Sequence, residues 1–172
     1  MDQVEQNAAM DAVGYDRQQQ RLAALEMLEQ LREQPVEPYR DRQPVPRVID
    51  VVGRRSGEPR PFGVNVTPID GHLYICSATR ARDWVRNLLA VGRCRIERDR
   101  PDGEHAECDP VMVEGREAAR ALATYLPQVG YRDPHLPFEP EAPLDEIERY
   151  VDKTAVFRLD PIATNHTPDR PG

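Results

Sequence analysis

Two Asp-Gly dipeptides constrain the fold of this chain more than any other feature of its sequence. Asp70-Gly71 and Asp102-Gly103 each lie between two segments rich in β-branched and apolar residues. An Asp-Gly pair favours the tight turn of a β-hairpin, because both central residues of that turn need a positive φ angle. The sequence therefore predicts two antiparallel hairpins. Their strands are residues 62–69, 72–77, 93–98 and 105–113.

Other segments predict two more strands and four helices around these hairpins. The strands are residues 47–52 and 154–159. The helices are residues 15–34, 82–91, 115–126 and 143–150. The chain has no βαβ alternation and no Gly-x-Gly-x-x-Gly motif, which disfavours a Rossmann domain. We therefore expect a mostly β fold of the α+β class, an antiparallel barrel with inserted helices and an N-terminal helical arm.

The length of 172 residues and the apolar content of 39% fit one domain with one main core. Many of the 17 prolines lie in residues 35–46 and 127–143, which we interpret as a linker and a long loop. We expect a helical arm and proline-rich linker over residues 1–46, the barrel over residues 47–162 and a flexible tail over residues 163–172.

Nothing in the sequence predicts a membrane segment or export. No run of about 18 apolar residues occurs, and the acidic residues 1–11 lack the pattern of a signal peptide. We therefore expect a cytoplasmic protein. In a reducing compartment the three cysteines, Cys76, Cys94 and Cys108, are expected to be free thiols.

The charges are unevenly distributed. The net charge of −7 argues against nucleic acid as a partner. Residues 40–100 nevertheless contain 13 arginines against 7 acidic residues. A basic middle in an acidic chain favours a local site for a small anionic molecule, although a solvated arginine-rich surface would give the same pattern.

The run Gly-Arg-Arg-Ser-Gly-Glu-Pro-Arg at residues 53–60 is the first candidate site. Glycines allow backbone N–H groups to face a ligand, and guanidinium groups suit phosphate or carboxylate oxygens. The alternative is an exposed hairpin tip that contacts only water. The candidate contacts are Arg54, Arg55, Ser56, Gly57 and Arg60.

The second candidate site lies where a predicted strand ends and a helix begins, at residues 77–84. A helix N-terminus binds anions through its free N–H groups. Trp84 lies on the apolar side of this helix, where it could equally anchor the core. The candidate contacts are Ser77, Ala78, Thr79, Arg80 and Trp84.

These two motifs, with the Asp-Gly hairpin between them, resemble the deazaflavin (F420)-dependent nitroreductase family. The resemblance runs from about Val48 to Ile162. It implies a split β-barrel of the pyridoxamine-phosphate-oxidase-like superfamily and coenzyme F420 as the cofactor. It also implies an oxidoreductase that transfers hydride from the reduced deazaflavin to a small electron-poor acceptor. A quinone, a nitro compound, an enone or a biosynthetic intermediate would each serve.

The resemblance also implies individual roles. The phosphate and carboxylate tail of the coenzyme would be held by Arg54, Arg55, Ser56 and Arg60. The deazaflavin ring and phosphate would lie against Ser77, Ala78 and Thr79, and Trp84 and Asn87 match the motif that opens the helix. Arg80 departs from the family, in which many members have glycine, and could add a phosphate contact or narrow the site. The family's His-Pro before the tryptophan is also absent.

Three other functions stay open at this stage. One is a split-barrel oxidoreductase that uses FMN, and another is a non-redox biosynthetic or binding protein that kept the barrel pocket. The third is a structural or interaction module. The expected partner is a small-molecule substrate, and a homodimer is one option. If the chain is a reductase, residues 127–143 form a natural lid whose Tyr131 or His135 could donate a proton. A metal site at Cys94, His105 and Cys108 is disfavoured, because His105 and Cys108 would point to opposite faces of one strand.

Overall fold

The computed structural model describes residues 3–129 and 132–163, with only the backbone for residues 3–17. The chain forms two compact units, Met1–Pro35 and Val36–Gly172. The first contains one helix, α1, over Gln3–Glu33. This helix begins twelve residues before the predicted start at Tyr15, because Gly14 lowers helix propensity only modestly and alanines and glutamines precede it. Of the predicted tail, residues 163–172, all but residue 163 lie outside the described part.

The second unit is a closed barrel of antiparallel strands in the order β1-β2-β3-β6-β5-β4. The fold class predicted from the sequence, an α+β split barrel, is therefore confirmed. The strands are Val45–Asp50 (β1), Phe62–Ile69 (β2), His72–Ser77 (β3), Cys94–Ile96 (β4), Ala106–Met112 (β5) and Ala155–Pro161 (β6). The helices are Asp83–Val91 (α2), Gly115–Tyr125 (α3) and Leu144–Tyr150 (α4), with short 3-10 turns at Leu126–Gln128 and Val151–Lys153.

The turn between β2 and β3 is the one that the sequence predicts. Ile69 pairs with His72, and the two residues between them have positive φ angles, 51° at Asp70 and 82° at Gly71. Both central residues of a type I′ turn need this conformation. The second hairpin also forms, but its strands are shorter than predicted, because its ladder ends at the pair Ile96–Ala106.

The barrel separates two apolar clusters by the alternation of side chains along its strands. One set, which includes Ile49, Ile75 and Phe157, fills the interior together with α2 residues such as Leu88. The other set, which includes Cys76, lies on the outer face under α3 and α4. The two faces of one sheet thus carry two separate apolar clusters.

A buried arginine in β1 holds the segment that leads into this strand. Arg47 is 4% exposed and lies over the Tyr39 ring, with its guanidinium carbon 4.6 Å from the ring centroid. Its Nη2 donates to the carbonyl oxygens of Glu37 and Asp99, and the Tyr39 hydroxyl donates to Asp99 Oδ1 at 2.5 Å. This arginine of the basic middle therefore fixes residues 37–47 to the turn at Asp99.

Besides its apolar contacts, helix α3 is bonded to the outer face of the barrel through one carboxylate. Tyr74 and Arg158 are cross-strand partners, and both donate to Glu117 Oε1, at 2.9 Å and 2.8 Å. Arg158 also donates to Asp160 at 2.7 Å. Burial alone would raise the pKa of Glu117, but the hydrogen bonds from Arg158 and Tyr74 lower it, and Arg158 lowers the pKa of Asp160.

Among the described residues, no helix combines the length and the apolar character that a membrane crossing requires.

Replacing Arg158 should weaken the pH dependence of stability. Carboxylates whose pKa is lowered by folding stabilise the protein at neutral pH, and this contribution is lost as the pH falls from about 5 towards 3. Because both acids are partly exposed, we expect Arg158→Met to lower the free energy of unfolding only slightly at pH 7, and the difference from the wild type should shrink at pH 3. Urea unfolding at several pH values measures this. A constant difference between pH 7 and pH 3 would contradict the assignment.

Candidate functional site

The connection between β1 and β2 is a tight hairpin, residues 51–60, which we call the arginine hairpin. Its tip is closed by two backbone hydrogen bonds, from Gly53 N–H to Glu58 at 2.8 Å and from Gly57 N–H to Gly53 at 2.9 Å. Gly57 has a φ of +68°, a conformation that favours glycine. The hairpin is therefore an ordered structure and not a loose loop.

Ser56 folds back over the start of this hairpin. Its Oγ accepts a hydrogen bond from Glu58 N–H at 3.2 Å. A Cβ atom at Gly53 would lie only 2.7 Å from the same Oγ, which is far below van der Waals contact. Gly53 is therefore the residue that leaves room for the serine hydroxyl.

Arg54 is held by α2. The buried side chain of Asn87, 5% exposed, accepts two hydrogen bonds on Oδ1, from the Arg54 backbone N–H at 3.1 Å and from Arg54 Nη1 at 2.9 Å. Arg54 Nη2 lies 3.5 Å from Asp83 Oδ1, and the Asp83 side chain is 86% exposed. The Arg54 backbone N–H and two contacts of its side chain therefore fix the hairpin to the helix.

The two remaining arginines of the hairpin are more available. Within the part of the chain that the structure describes, the Arg55 side chain makes no hydrogen bond or ion pair, and it is exposed. Arg60 reaches Glu58 at 3.4 Å and the Pro59 carbonyl at 3.1 Å, with its side chain 53% exposed. Both face a cleft of about 220 Å³. It is lined by Gly53, Arg54, Arg55, Ser56, Arg60, Asp83 and Asn87.

The loop between β3 and α2 is organised by its own side chains. The Ser77 hydroxyl donates to the Thr79 carbonyl at 2.7 Å, and Thr79 Oγ1 accepts from Ala81 N–H at 3.2 Å. Arg80 Nε donates to the Thr154 carbonyl at 2.8 Å, which ties the loop to the turn before β6. Arg80 thus has a partner within the protein that the sequence did not indicate.

Trp84 lies against the barrel. Its ring stacks on Phe62 with centroids 4.7 Å apart and an interplanar angle of 12°, and Phe157 lies 6.2 Å away. It is partly buried against the interior cluster and does not line the cleft of the arginine hairpin. This placement fits the alternative that the sequence left open, a core anchor.

The segment that the sequence proposes as a lid is fastened to the start of α2. Asp133 forms an ion pair with Arg82 and also accepts from His135 N–H at 2.9 Å. The His135 side chain is exposed. Tyr131, the other proposed proton donor, lies outside the described residues, so its role stays a prediction.

Tyr125, which sequence reasoning missed, is a further candidate near this loop. It is partly buried at the end of α3 and packs against the outer cluster, as does Ala78. Burial raises the pKa of Tyr125, and the nearby Asn65 side chain and Arg82 oppose that rise. No local motif marks this tyrosine, because its neighbours come from β2 and from the start of α2.

His105 also has a partner within the protein, because its Nδ1 accepts from Arg98 N–H at 3.1 Å. Among the described residues, no group of three or more His, Cys, Asp and Glu side chains is arranged to hold a metal ion.

Comparison with known proteins gives only distant similarities. No family model and no curated protein matches the chain. An F420 reductase structure is 19% identical, with a TM-score of 0.45 over 74% of this chain and 96% of the reductase. General Stress Protein 26 from Bacillus anthracis is 13% identical, with a TM-score of 0.45 over 69% of this chain and 81% of its own. A heme binding protein from Mycobacterium smegmatis is 19% identical, with a TM-score of 0.41 over 66% of this chain and 45% of its own.

Removing the Asn87 amide should loosen the arginine hairpin. We expect Asn87→Leu to destabilise the protein by about 1 to 2 kcal/mol and to speed hydrogen exchange at the Arg54 amide. Asn87→Asp keeps an acceptor oxygen and should retain most of the protection. Amide exchange followed by NMR measures both variants. Equal Arg54 protection in the wild type and in Asn87→Leu would show that the contact does not hold the hairpin.

Proposed function

We propose that this chain is an oxidoreductase that binds coenzyme F420 and passes hydride to a small electron-poor organic acceptor. The observation that supports this most is the cleft of the arginine hairpin. Three arginines line it, and the Arg55 side chain has no hydrogen bond or ion pair among the described residues. Guanidinium groups match phosphate and carboxylate oxygens, the two anionic groups of the coenzyme tail. The motif order that resembles the deazaflavin-dependent nitroreductases points to the same ligand.

The residues of the cleft fit an anionic group. Glu58 and Asp83 are the acidic side chains that approach the three arginines, and both are largely exposed, at 70% and 86%. Exposed ion pairs are weak and exchange readily. An entering phosphate or carboxylate can therefore replace Asp83 and Glu58 as the partner of these arginines without leaving a buried charge unpaired.

The cleft and the resemblance together suggest a role for each candidate residue. We propose that Arg55 and Arg60 contact the anionic tail, with Ser56 and the backbone at Gly57 beside them. Arg54 and Asn87 shape the hairpin, and Arg54 retains part of its guanidinium for the ligand. The ring would lie against Ser77, Ala78 and Thr79, with Arg80 and Trp84 supporting that loop. When bound in its reduced form, a deazaflavin supplies the hydride.

FMN is the second candidate ligand, because a single phosphate would fit the same cleft. A non-redox binding protein would use the same arginines for another small anion. Titration of the purified protein with F420, with FMN and with inorganic phosphate separates these functions. The proposal requires tightest binding of F420 and oxidation of the reduced coenzyme when a quinone or nitroaromatic acceptor is added. Binding without turnover on any acceptor would favour the non-redox function.

Removing Arg55 or Arg60 should weaken binding of F420 about 10- to 100-fold, because each charge-assisted contact contributes about 1.5 to 3 kcal/mol. Arg54→Ala should weaken it as well, through the hairpin. Arg149→Ala, at an exposed position on α4, is the matched control and should bind as the wild type does. Fluorescence titration at two salt concentrations measures the affinity, which should fall with added salt. Unchanged affinity in both Arg55→Ala and Arg60→Ala would refute the tail assignment.

The proton donor can be assigned by comparing three variants, Tyr125→Phe, Tyr131→Phe and His135→Asn. Loss of a general acid typically slows turnover by about 100-fold or more while leaving coenzyme affinity unchanged. We expect Tyr125→Phe or one of the two lid variants to separate kcat from coenzyme Kd in this way. Steady-state turnover with a quinone acceptor, alongside coenzyme titration, provides both values. If all three variants keep full turnover, the proton comes from another group.

A further inference from the structure

Two cysteines lie side by side on neighbouring strands, on the inner face of the barrel. Cys94, the first residue of β4, is the direct cross-strand partner of Cys108 on β5. Both are buried, at 3% and 2% exposure, and both belong to the interior cluster. Directly opposed residues on neighbouring strands point to the same side of the sheet, with Cβ atoms about 4.5 to 5.5 Å apart. The two thiols are therefore neighbours.

Hydrogen bonds on the outer sides of the two strands define the geometry of this pair. Glu97 N–H donates to the Val48 carbonyl on β1. Successive residues of a strand direct their N–H and C=O groups to opposite neighbouring strands. Cys94, three residues before Glu97, therefore directs its N–H and C=O groups towards β5. The Glu107 carbonyl accepts a hydrogen bond from Ile162 N–H, on the side of β6. The N–H and C=O groups of the next residue, Cys108, therefore point towards β4. Such a hydrogen-bonded pair has a Cα separation of about 5.5 Å. Disulfides span Cα separations of about 4.4 to 6.8 Å.

We propose that Cys94 and Cys108, which are free thiols in this structure, form a site of reversible oxidation by peroxide. One thiol attacks hydrogen peroxide, which yields a sulfenic acid and one water. The second thiol then attacks the sulfenic sulfur and releases a second water as the S–S bond forms. In sum, two thiols and one peroxide give one disulfide and two waters. The disulfide would join β4 to β5 inside the barrel.

The position of Cys94 gives a route for the oxidant. Strand β4 has three residues, and two of them pair with β1. Short pairings open locally at lower cost than the whole barrel. Burial raises the pKa of both thiols to about 12, so little thiolate exists at neutral pH while the barrel stays closed. We therefore expect oxidation to be slow, and faster in urea concentrations below the unfolding transition.

Cys76 is an internal control. It is also buried, at 9% exposure, and burial raises its pKa to about 12 as well. It belongs to the outer cluster, on the opposite side of the sheet from Cys94 and Cys108. Cys76 therefore matches the pair in burial and acidity but not in having a thiol opposite it.

Peroxide treatment of the folded wild-type protein, followed by alkylation in denaturant and peptide mapping, tests the site. We expect a Cys94–Cys108 cross-linked peptide that has lost two hydrogen atoms, while Cys76 is alkylated. Dithiothreitol should restore three alkylated cysteines. Cys76→Ser should still form the link, and Cys94→Ser should not.

Other outcomes would overturn the proposal. These are alkylation of Cys94 and Cys108 to the same extent as Cys76, a disulfide that includes Cys76 or joins two molecules, or over-oxidation of Cys94 without a link. Because the main measurement uses the wild-type chain, failure of a variant to fold would leave the test intact. Coenzyme binding does not enter this experiment, so its result is independent of the proposed function.

Discussion

The barrel closes where β4 pairs with β1 on one side and with β5 on the other, and this closure creates the candidate site. Because β1 and β4 are antiparallel, the end of β1 meets the beginning of β4, as the pair Asp50–Arg95 shows. The arginine hairpin follows β1, and α2 precedes β4. Closure therefore brings Arg54 against Asn87, which lies 33 residues away in the sequence. Without this pairing the arginines would project from an isolated hairpin.

The fold also gives several arginines of residues 40–100 structural contacts within the protein. Arg47 is buried over Tyr39, Arg80 holds the turn at Thr154, and Arg82 holds Asp133. The local excess of positive charge predicted one anion site, and its members have mostly separate structural contacts. Composition cannot distinguish these uses, because the partners lie on distant segments. Within the cleft of the arginine hairpin, the guanidinium groups most available to a ligand are those of Arg55 and Arg60.

Local signals in the sequence predicted much of the fold. They predicted less of the candidate site. Asp70-Gly71 predicted both strands of its hairpin with correct bounds, because a two-residue turn fixes the register. The second hairpin shows the limit of this reasoning. A two-residue turn at Asp102-Gly103 would place Cys94 opposite Val111, yet Cys94 pairs with Cys108. The chain leaves the ladder after Ile96, with Arg98 at a φ of 47°, and this shift creates the cysteine pair. Tyr125 escaped prediction for a related reason, since only the packed fold brings β2 and the loop at Asp133 to it.

The contacts around Arg54 differ in strength, and this difference bears on how a ligand could bind. Asn87 is buried and neutral, and its two hydrogen bonds fix both the backbone and the side chain of Arg54. Asp83 is exposed and lies 3.5 Å away, so water screens its attraction. An arriving anion can thus displace Asp83 while the hydrogen bonds from Arg54 to Asn87 persist. The hairpin is held in place before binding, so little ordering of the chain opposes the association. The buried amide of Asn87 thus fixes Arg54 in position, and the exposed carboxylate of Asp83 leaves it accessible to a phosphate or a carboxylate.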